Sequence, residues 1–486
     1  MLAYKFRWRY VILIALILQV CFALKCISAP NLDAEIASIV DQALSDSVLS
    51  HGLQGVLIES LKDGRVVYEK NADLVFIPAS NFKILVSAVA LDTLGPDYRF
   101  KTFIFVNGQK ITNGVLKGDL IIEGRGDPVL KYEHLEKIAA KLKEIGIKII
   151  EGNIVGDDTW FDSIRLGWGW SWDDEPYYYA TQISALNLNE NIIDVWVRPG
   201  DKVGEPAVVE VLPQTSYVLV VNECRTSVAK SEKTIFIDRL RGKNVIRVTG
   251  MVPLDYKPER PEEAITIEEP TLFTCHRLIE TLRAHGIEVK GQAVRGKKPV
   301  SAQFVMSLTS PPLSEILRLL NKPSDNLIAE VLLKTLGAER KGKGSSSAGE
   351  QVELEFLKKI GADMTAVSIT DGSGLSRHNL ISPRNLVIIL KHMYNHKHSK
   401  VYLDSLPIAG VDGTLRKRMK GTPAEGNVRA KTGYVGMVCT LSGFVTTRSG
   451  EPLVFSIMFN HHLCRHSEAI AVMDKIMAGI AGVGDK

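Results

Sequence analysis

Between Asn81 and Leu91 the chain reads Asn-Phe-Lys-Ile-Leu-Val-Ser-Ala-Val-Ala-Leu, apolar on nearly every side of a helical projection. A helix without a polar face is stable only inside a protein, so the fold must be built around this segment. Pro78-Ala79-Ser80 leads into it, and its single lysine, Lys83, lies three residues after Ser80. A helix places residues three apart on one face and puts the serine at the positive end of the backbone dipole. Burial disfavours an ammonium and lowers its pKa, so Lys83 can hold a fraction of free amine at neutral pH and take the Ser80 proton. Average composition alone yields about two Ser-x-x-Lys pairs in a chain this long. One such decoy is Ser227-Val228-Ala229-Lys230, which follows the strand-like Tyr217 to Val221 among Arg225 and Lys233, with no apolar helix around it.

Two further short stretches carry compatible chemistry. Ser324-Asp325-Asn326 opens a helical segment, Leu327 to Leu336, which puts a hydroxyl and a carboxamide at a helix start. Lys431-Thr432-Gly433 ends the strand-like Asn427 to Ala430 and supplies a cation for a carboxylate. Taken in order, Ser-x-x-Lys, Ser-Asp-Asn and Lys-Thr-Gly form the active-site set of penicillin-binding proteins and serine β-lactamases. No Gly-x-Ser-x-Gly elbow and no His-Glu-x-x-His occurs. Those absences argue against an α/β-hydrolase and a zinc peptidase respectively. The histidines at 392, 396 and 398, and at 461, 462 and 466, lack a carboxylate arrangement, so no metal is expected, and no nucleotide cofactor is implied.

Charge bears on partner and compartment. The 59 basic residues exceed the 55 acidic ones only through Lys5, Arg7, Arg9 and Lys25. The balanced remainder lacks the signature of a nucleic-acid binder. Lys5, Arg7 and Arg9 precede an apolar run from Val11 to Leu24, broken only by Gln19. That run is shorter than the roughly 20 residues of a stable membrane span, so residues 1–29 read as a signal peptide and the protein as exported to the periplasm or cell envelope. Peripheral association with membrane or wall, the oligomeric state and disulfides stay open.

Longer stretches narrow the likeness: Gly118-Asp119-Leu120, Gly124-Arg125-Gly126-Asp127-Pro128, Asp371-Gly372-Ser373-Gly374-Leu375-Ser376-Arg377, and Leu406 to Leu415. With the three motifs they resemble the D-alanyl-D-alanine carboxypeptidase/endopeptidase family of class C low-molecular-mass penicillin-binding proteins (serine peptidase S13), from about residue 34 to 480. The long interval between Ser80 and Ser324 fits this group, because compact β-lactamases have no room for such an insert. The implied fold is α+β: a β-lactamase/transpeptidase-like domain, an antiparallel sheet covered by helices, formed by residues 30–98 and 306–486. A large α/β insertion occupies residues 99–305. Within it, Leu135 to Ile147 with Glu151 to Gly156 is echoed by Leu278 to Ile287 with Lys290 to Gly296, suggesting two related helix-strand units. Lys341 to Ser347 reads as a flexible loop.

The resemblance implies a serine-type D-Ala-D-Ala carboxypeptidase, also acting as a D,D-endopeptidase, with peptidoglycan stem peptides and β-lactams as partners. Ser80 is then the nucleophile, Lys83 its base and Ser324 a proton relay. Asn326 would hold the substrate peptide, Lys431, Thr432 and Gly433 the substrate carboxylate, and the backbone N–H groups of Ser80 and Tyr434 an oxyanion. Tyr434 departs from the family, which commonly has Ser or Thr there. By the same carry-over Asp157 meets the free amine of the stem-peptide side chain and Arg377 that side chain's carboxylate; a plain turn aspartate is the competing reading of Asp157. The alternatives are a β-lactamase or esterase on the same site, and a non-catalytic β-lactam or cell-wall sensor.

Overall fold

The computed structural model describes residues 32–108 and 111–484, so the expected signal peptide lies outside the described residues. Helix α1 (Leu32–Leu44) is followed by the hairpin β1 (Leu53–Ser60) and β2 (Val66–Lys70). A 3₁₀ turn, Ala79–Phe82, then runs directly into helix α2 (Lys83–Leu94). The insert contributes β3 (Lys101–Gly108), β4 (Gly118–Gly124), α3 (Tyr132–Glu144), β5 (Ile154–Asp157), α4 (Pro270–Ala284), β6 (Ala293–Arg295) and β7 (Gln303–Thr309). Helices α5 (Leu313–Asn321), α6 (Asn326–Lys341), α7 (Ser346–Lys359) and α8 (Pro383–Tyr394) follow. Strands β8 (Arg429–Val435), β9 (Val438–Thr446) and β10 (Pro452–Asn460) and helix α9 (His466–Gly482) close the chain.

The principal sheet is antiparallel throughout, in the order β2-β1-β10-β9-β8. Both of its faces are covered, which is why β9 and β10 are buried along nearly their whole length. Alternate side chains then serve different layers. Val56, Ile58, Leu441, Val445, Phe455 and Ile457 pack with Ile36 and Val40 of α1 and Met473 and Ile476 of α9. Leu57, Val454 and Met458 face the opposite core, where α2, α6 and α8 meet. On that second face β9 presents Thr440 and Ser442 instead of apolar residues, and these hydroxyls lie under the Ser80 turn. Helix α2 is buried from Lys83 through Leu91, as its composition demands.

The insert carries a five-stranded sheet in the order β6-β5-β4-β3-β7. Its entry and exit strands pair antiparallel, Lys101 beside Thr309. The echoed segments lie side by side: Ile149–Ile150 pairs in parallel with Glu288–Val289, and β5 pairs in parallel with β6. Beyond the expected α/β unit there is a strand-rich lobe, with one sheet of Glu263–Thr266, Ile192–Arg198 and Val208–Leu212 and another of Leu219–Asn222, Val245–Thr249 and Phe236–Arg239.

Three local expectations are corrected. Ser80 lies in a 3₁₀ turn, not in the first turn of the α-helix. Lys-Thr-Gly does not end a strand but lies within β8. Lys341 to Ser347 is not a flexible loop: Gly342, at φ +67°, terminates α6, and the Ser345 hydroxyl accepts from Ala348 N at 3.2 Å to start α7. That short connection presses α7 onto α6 at Gly349, where a Cβ would stand 2.0 Å from Leu333 O and 2.8 Å from Leu333 Cδ1. Alanine in a helix ordinarily gains about 1 kcal/mol over glycine, but here the clash wins. Gly349→Ala is expected to destabilise the fold by about 1–3 kcal/mol, read as a lowered midpoint in thermal unfolding.

Candidate active site

The 3₁₀ turn brings Ser80 and Lys83 together more directly than an α-helix does, because residues i and i+3 eclipse in the tighter winding. Lys83 Nζ lies 2.8 Å from Ser80 Oγ. The turn is pinned from below by Asn81, whose carboxamide donates to Lys431 O and accepts from Ser442 Oγ, both at 2.7 Å. Thr440 Oγ1 donates to Pro78 O at 2.8 Å. Ala79, just before the serine, holds the left-handed φ of +47°.

Lys83 is completely buried and has no carboxylate partner; its ammonium donates to Ser80 Oγ, Asn326 Oδ1 at 2.6 Å and Ser373 O at 2.6 Å. Burial lowers its pKa to about 8, against the opposing pull of Asp371, Asp325 and Glu330. A group with that pKa is roughly one-tenth free amine at pH 7. Asn326 is the first residue of α6, placed there by Asp325, whose carboxylate caps the helix by accepting from Ile328 N at 2.7 Å. Its Oδ1 is taken by Lys83, and its Nδ2 donates to Tyr179 O of the insert at 2.6 Å. One amide N–H therefore remains for a substrate carbonyl.

Ser324 adopts a left-handed φ of +72°, and its Oγ accepts from Lys431 Nζ at 2.7 Å. Lys431 lies on the edge strand β8, as the sequence suggests, but it is not an exposed cation. It is fully buried, donates to Ser324 Oγ and Thr432 O, and is driven well below the ordinary lysine range by burial and then by Lys83. Thr432, half-buried, donates its hydroxyl to Thr414 Oγ1 at 2.8 Å. Thr414 is brought there by Lys322, whose carbonyl accepts from Thr414 N and whose ammonium grips Asp412 at 2.7 Å. The arrangement has two layers: Ser80, Ser324, Asn326 and Thr432 are partly open, and both lysines lie beneath them. Gly433 has no room for a side chain, since a Cβ would stand 2.1 Å from Thr440 Oγ1 and 2.6 Å from Pro78 O.

Tyr434 points to the face of β8 opposite Lys431 and Gly433, exposed, with its ring centroid 3.8 Å from that of His466. Arg377 is exposed and braces the β8–β9 turn by donating to Gly436 O. Asp157 closes a turn at the end of β5. It is buried in the insert, where Oδ1 accepts from Thr159 N and Oγ1 at 2.9 and 2.7 Å and Oδ2 from Lys298 N at 2.7 Å.

Sequence reasoning missed Asn81, Tyr179, Glu330, Ser373 and Thr414. One signal was available, since Asn326, Glu330 and Lys334 recur every four residues and every position between them is apolar. The insert straps over this region: Lys334 Nζ donates to Asp162 at 2.6 Å, and Trp170 Nε1 donates to Asp371 at 2.8 Å.

Residues 36–480 match the D-Ala-D-Ala carboxypeptidase 3 (S13) family. The chain belongs to that family. It is 37% identical over 461 residues to a D-alanyl-D-alanine carboxypeptidase of Actinomadura sp., covering 92% of this chain and 84% of the relative. It is 30% identical over 420 residues to the carboxypeptidase DacB of Haemophilus influenzae, covering 84% and 85% of the two chains. Crystallographic penicillin binding protein 4 from Haemophilus influenzae superposes with a TM-score of 0.80 at 28% identity, over 90% of this chain and 97% of that one. The α+β, penicillin-binding fold and the enzyme class read from the sequence, a serine-type D-Ala-D-Ala carboxypeptidase, are thereby established. Gly433→Ala is expected to force β8 off the Ser80 turn and to slow acylation by a fluorescent penicillin by about tenfold or more, with little change in far-ultraviolet circular dichroism.

Proposed function

We propose that Ser80 is the acyl-accepting nucleophile of this carboxypeptidase and Lys83 its general base. The observation that carries the assignment is a fully buried amine, 2.8 Å from the hydroxyl and without a counter-ion. Ser80 Oγ attacks the carbonyl carbon between the two D-alanines while Lys83 Nζ takes its proton. The oxyanion is received by the backbone N–H groups of Ser80 and Tyr434. The C–N bond then breaks as the proton held by Lys83 is relayed through Ser324 to the leaving amine of D-alanine, which frees Lys83 as a base again. Water adds to the ester carbonyl, its proton passing to Lys83, and the C–O bond to Ser80 breaks as Lys83 returns that proton to Ser80 Oγ, restoring the enzyme.

Asn326 offers its remaining N–H to the substrate peptide carbonyl. Thr432 and Gly433, with the Thr414 hydroxyl, offer a neutral cradle for the terminal carboxylate, with the buried Lys431 amine behind it. Arg377, exposed near the turn after β8, presents free N–H groups to an anionic group on the stem peptide. A β-lactam acylates Ser80 by the same steps, its ring amide replacing the D-Ala-D-Ala bond. A solved structure of the Haemophilus influenzae penicillin binding protein 4 is a complex with a β-lactam, at 27% identity and a TM-score of 0.74. Cleavage of cross-links, where the leaving amine belongs to a second stem peptide, needs no different chemistry at Ser80. Export is supported by the charged, apolar leader, and among the described residues no helix is long and apolar enough to cross a membrane.

Ser80→Ala is expected to abolish labelling by fluorescent penicillin and release of D-alanine together, with products from cross-linked and uncross-linked muropeptides read by mass. Retention of either activity removes Ser80 from the role. The base must be deprotonated to act, so the acylation rate is expected to rise with pH through an apparent pKa of about 8. A rate independent of pH across that range would exclude Lys83 as base.

A further inference from the structure

Three buried oxygens behind the site have no use in this chemistry. Glu330 lies one helical turn after Asn326 on α6 and is completely buried. Its Oε1 accepts from the backbone N–H groups of Gly372 at 3.0 Å and Ser373 at 2.8 Å. The carbonyl of the same Ser373 accepts from Lys83 Nζ at 2.6 Å. Glu330 thus holds the peptide that holds the lysine. Its other oxygen, Oε2, has no hydrogen-bond partner, and neither has either oxygen of Glu353, fully buried on the adjoining α7.

Two ionised carboxylates cannot share a dry helix interface without a cation between them. Lys334, the nearest cation on α6, is already committed to Asp162 Oδ1 and Ile164 O. The other charged groups acting on Glu330 and Glu353 are Lys83 from α2, Asp371 from the loop before α8, and Glu350 on α7. All but Lys83 are acidic, so a second negative charge has nothing to stabilise it. Burial, and then neighbouring acids, raise Glu330 to about 7 and push Glu353 well above the carboxylate range.

We propose that of this buried acidic pair only Glu330 ionises, while Glu353 keeps its proton. Glu330 is then the surviving anion and a positioning residue for the acylation step. It fixes the Ser373 carbonyl against Lys83, and its charge holds the Lys83 pKa above the value that burial alone would impose. The inference rests on Lys83 being the base for Ser80.

The test is the pH dependence of the second-order rate of acylation of the full chain by benzylpenicillin. Glu353→Gln replaces a neutral carboxyl group by a neutral amide of the same size and leaves the Glu330 charge in place, so its profile is expected to match the wild type. The double variant Glu330→Gln/Glu353→Gln keeps an acceptor for Gly372 and Ser373 and removes the charge. Its acid limb is expected to move to lower pH by about one unit, with the plateau rate retained. A group that only filled space would move neither limb. An unshifted limb in the double variant, or a shift already present in Glu353→Gln, overturns the proposal. If the double variant does not fold, the Glu353→Gln profile still decides, since a second anion in the wild type predicts a shift there. Peptide mapping of the wild-type adduct separates the layers: a penicilloyl group found away from Ser80 removes the underlying reading, whereas a Ser80 adduct with an unshifted limb removes this inference alone.

Discussion

The structure depends on an ammonium placed where water cannot reach it. Stripping a lysine of its hydration is costly, and the usual remedy is a carboxylate in contact. Lys83 has none; its three acceptors are a hydroxyl, a side-chain amide oxygen and a backbone carbonyl, all neutral. Each comes from a different stretch of chain, so the lysine is satisfied only when the Ser80 turn, the start of α6 and the loop at Ser373 have all assembled. Catalytic poise and tertiary organisation therefore have the same origin. The distant acids Asp371, Asp325 and Glu330 keep the depression moderate, leaving the pKa at about 8.

Much of this was legible in the sequence. An all-round apolar helix had to be central, and the Ser-x-x-Lys pair at its start had to be buried with it. The antiparallel sheet covered by helices, which the resemblance implied, is present, with β9 and β10 buried because both faces of the sheet are covered. The strand-rich lobe of the insert escaped notice because its strands are short and half-exposed, as in Leu219–Asn222, so neither alternation nor a continuous apolar run develops.

Within the site, sequence order supplied the chemical groups but not their pairings. Lys431 looked like a free cation because strand edges are commonly exposed; the Ser80 turn and Ser324 cover it instead. Asp157 looked like a candidate recognition residue because one sequence cannot separate an aspartate that closes a turn from one that meets a ligand. Asn81 and Glu330 were invisible for a related reason: each acts on backbone groups remote in sequence, and no spacing rule records such contacts.

The insert leaves and rejoins the chain through neighbouring strands, Lys101 beside Thr309. With both junctions a single strand spacing apart, the host domain sees a closed loop whatever that loop contains. Doubling such a loop costs only about 0.6 kcal/mol in closure entropy. Growth, trimming or exchange of the inserted module is thus thermodynamically permissive, and the restraint on its divergence falls on the few residues that reach back, foremost the Tyr179 carbonyl on Asn326.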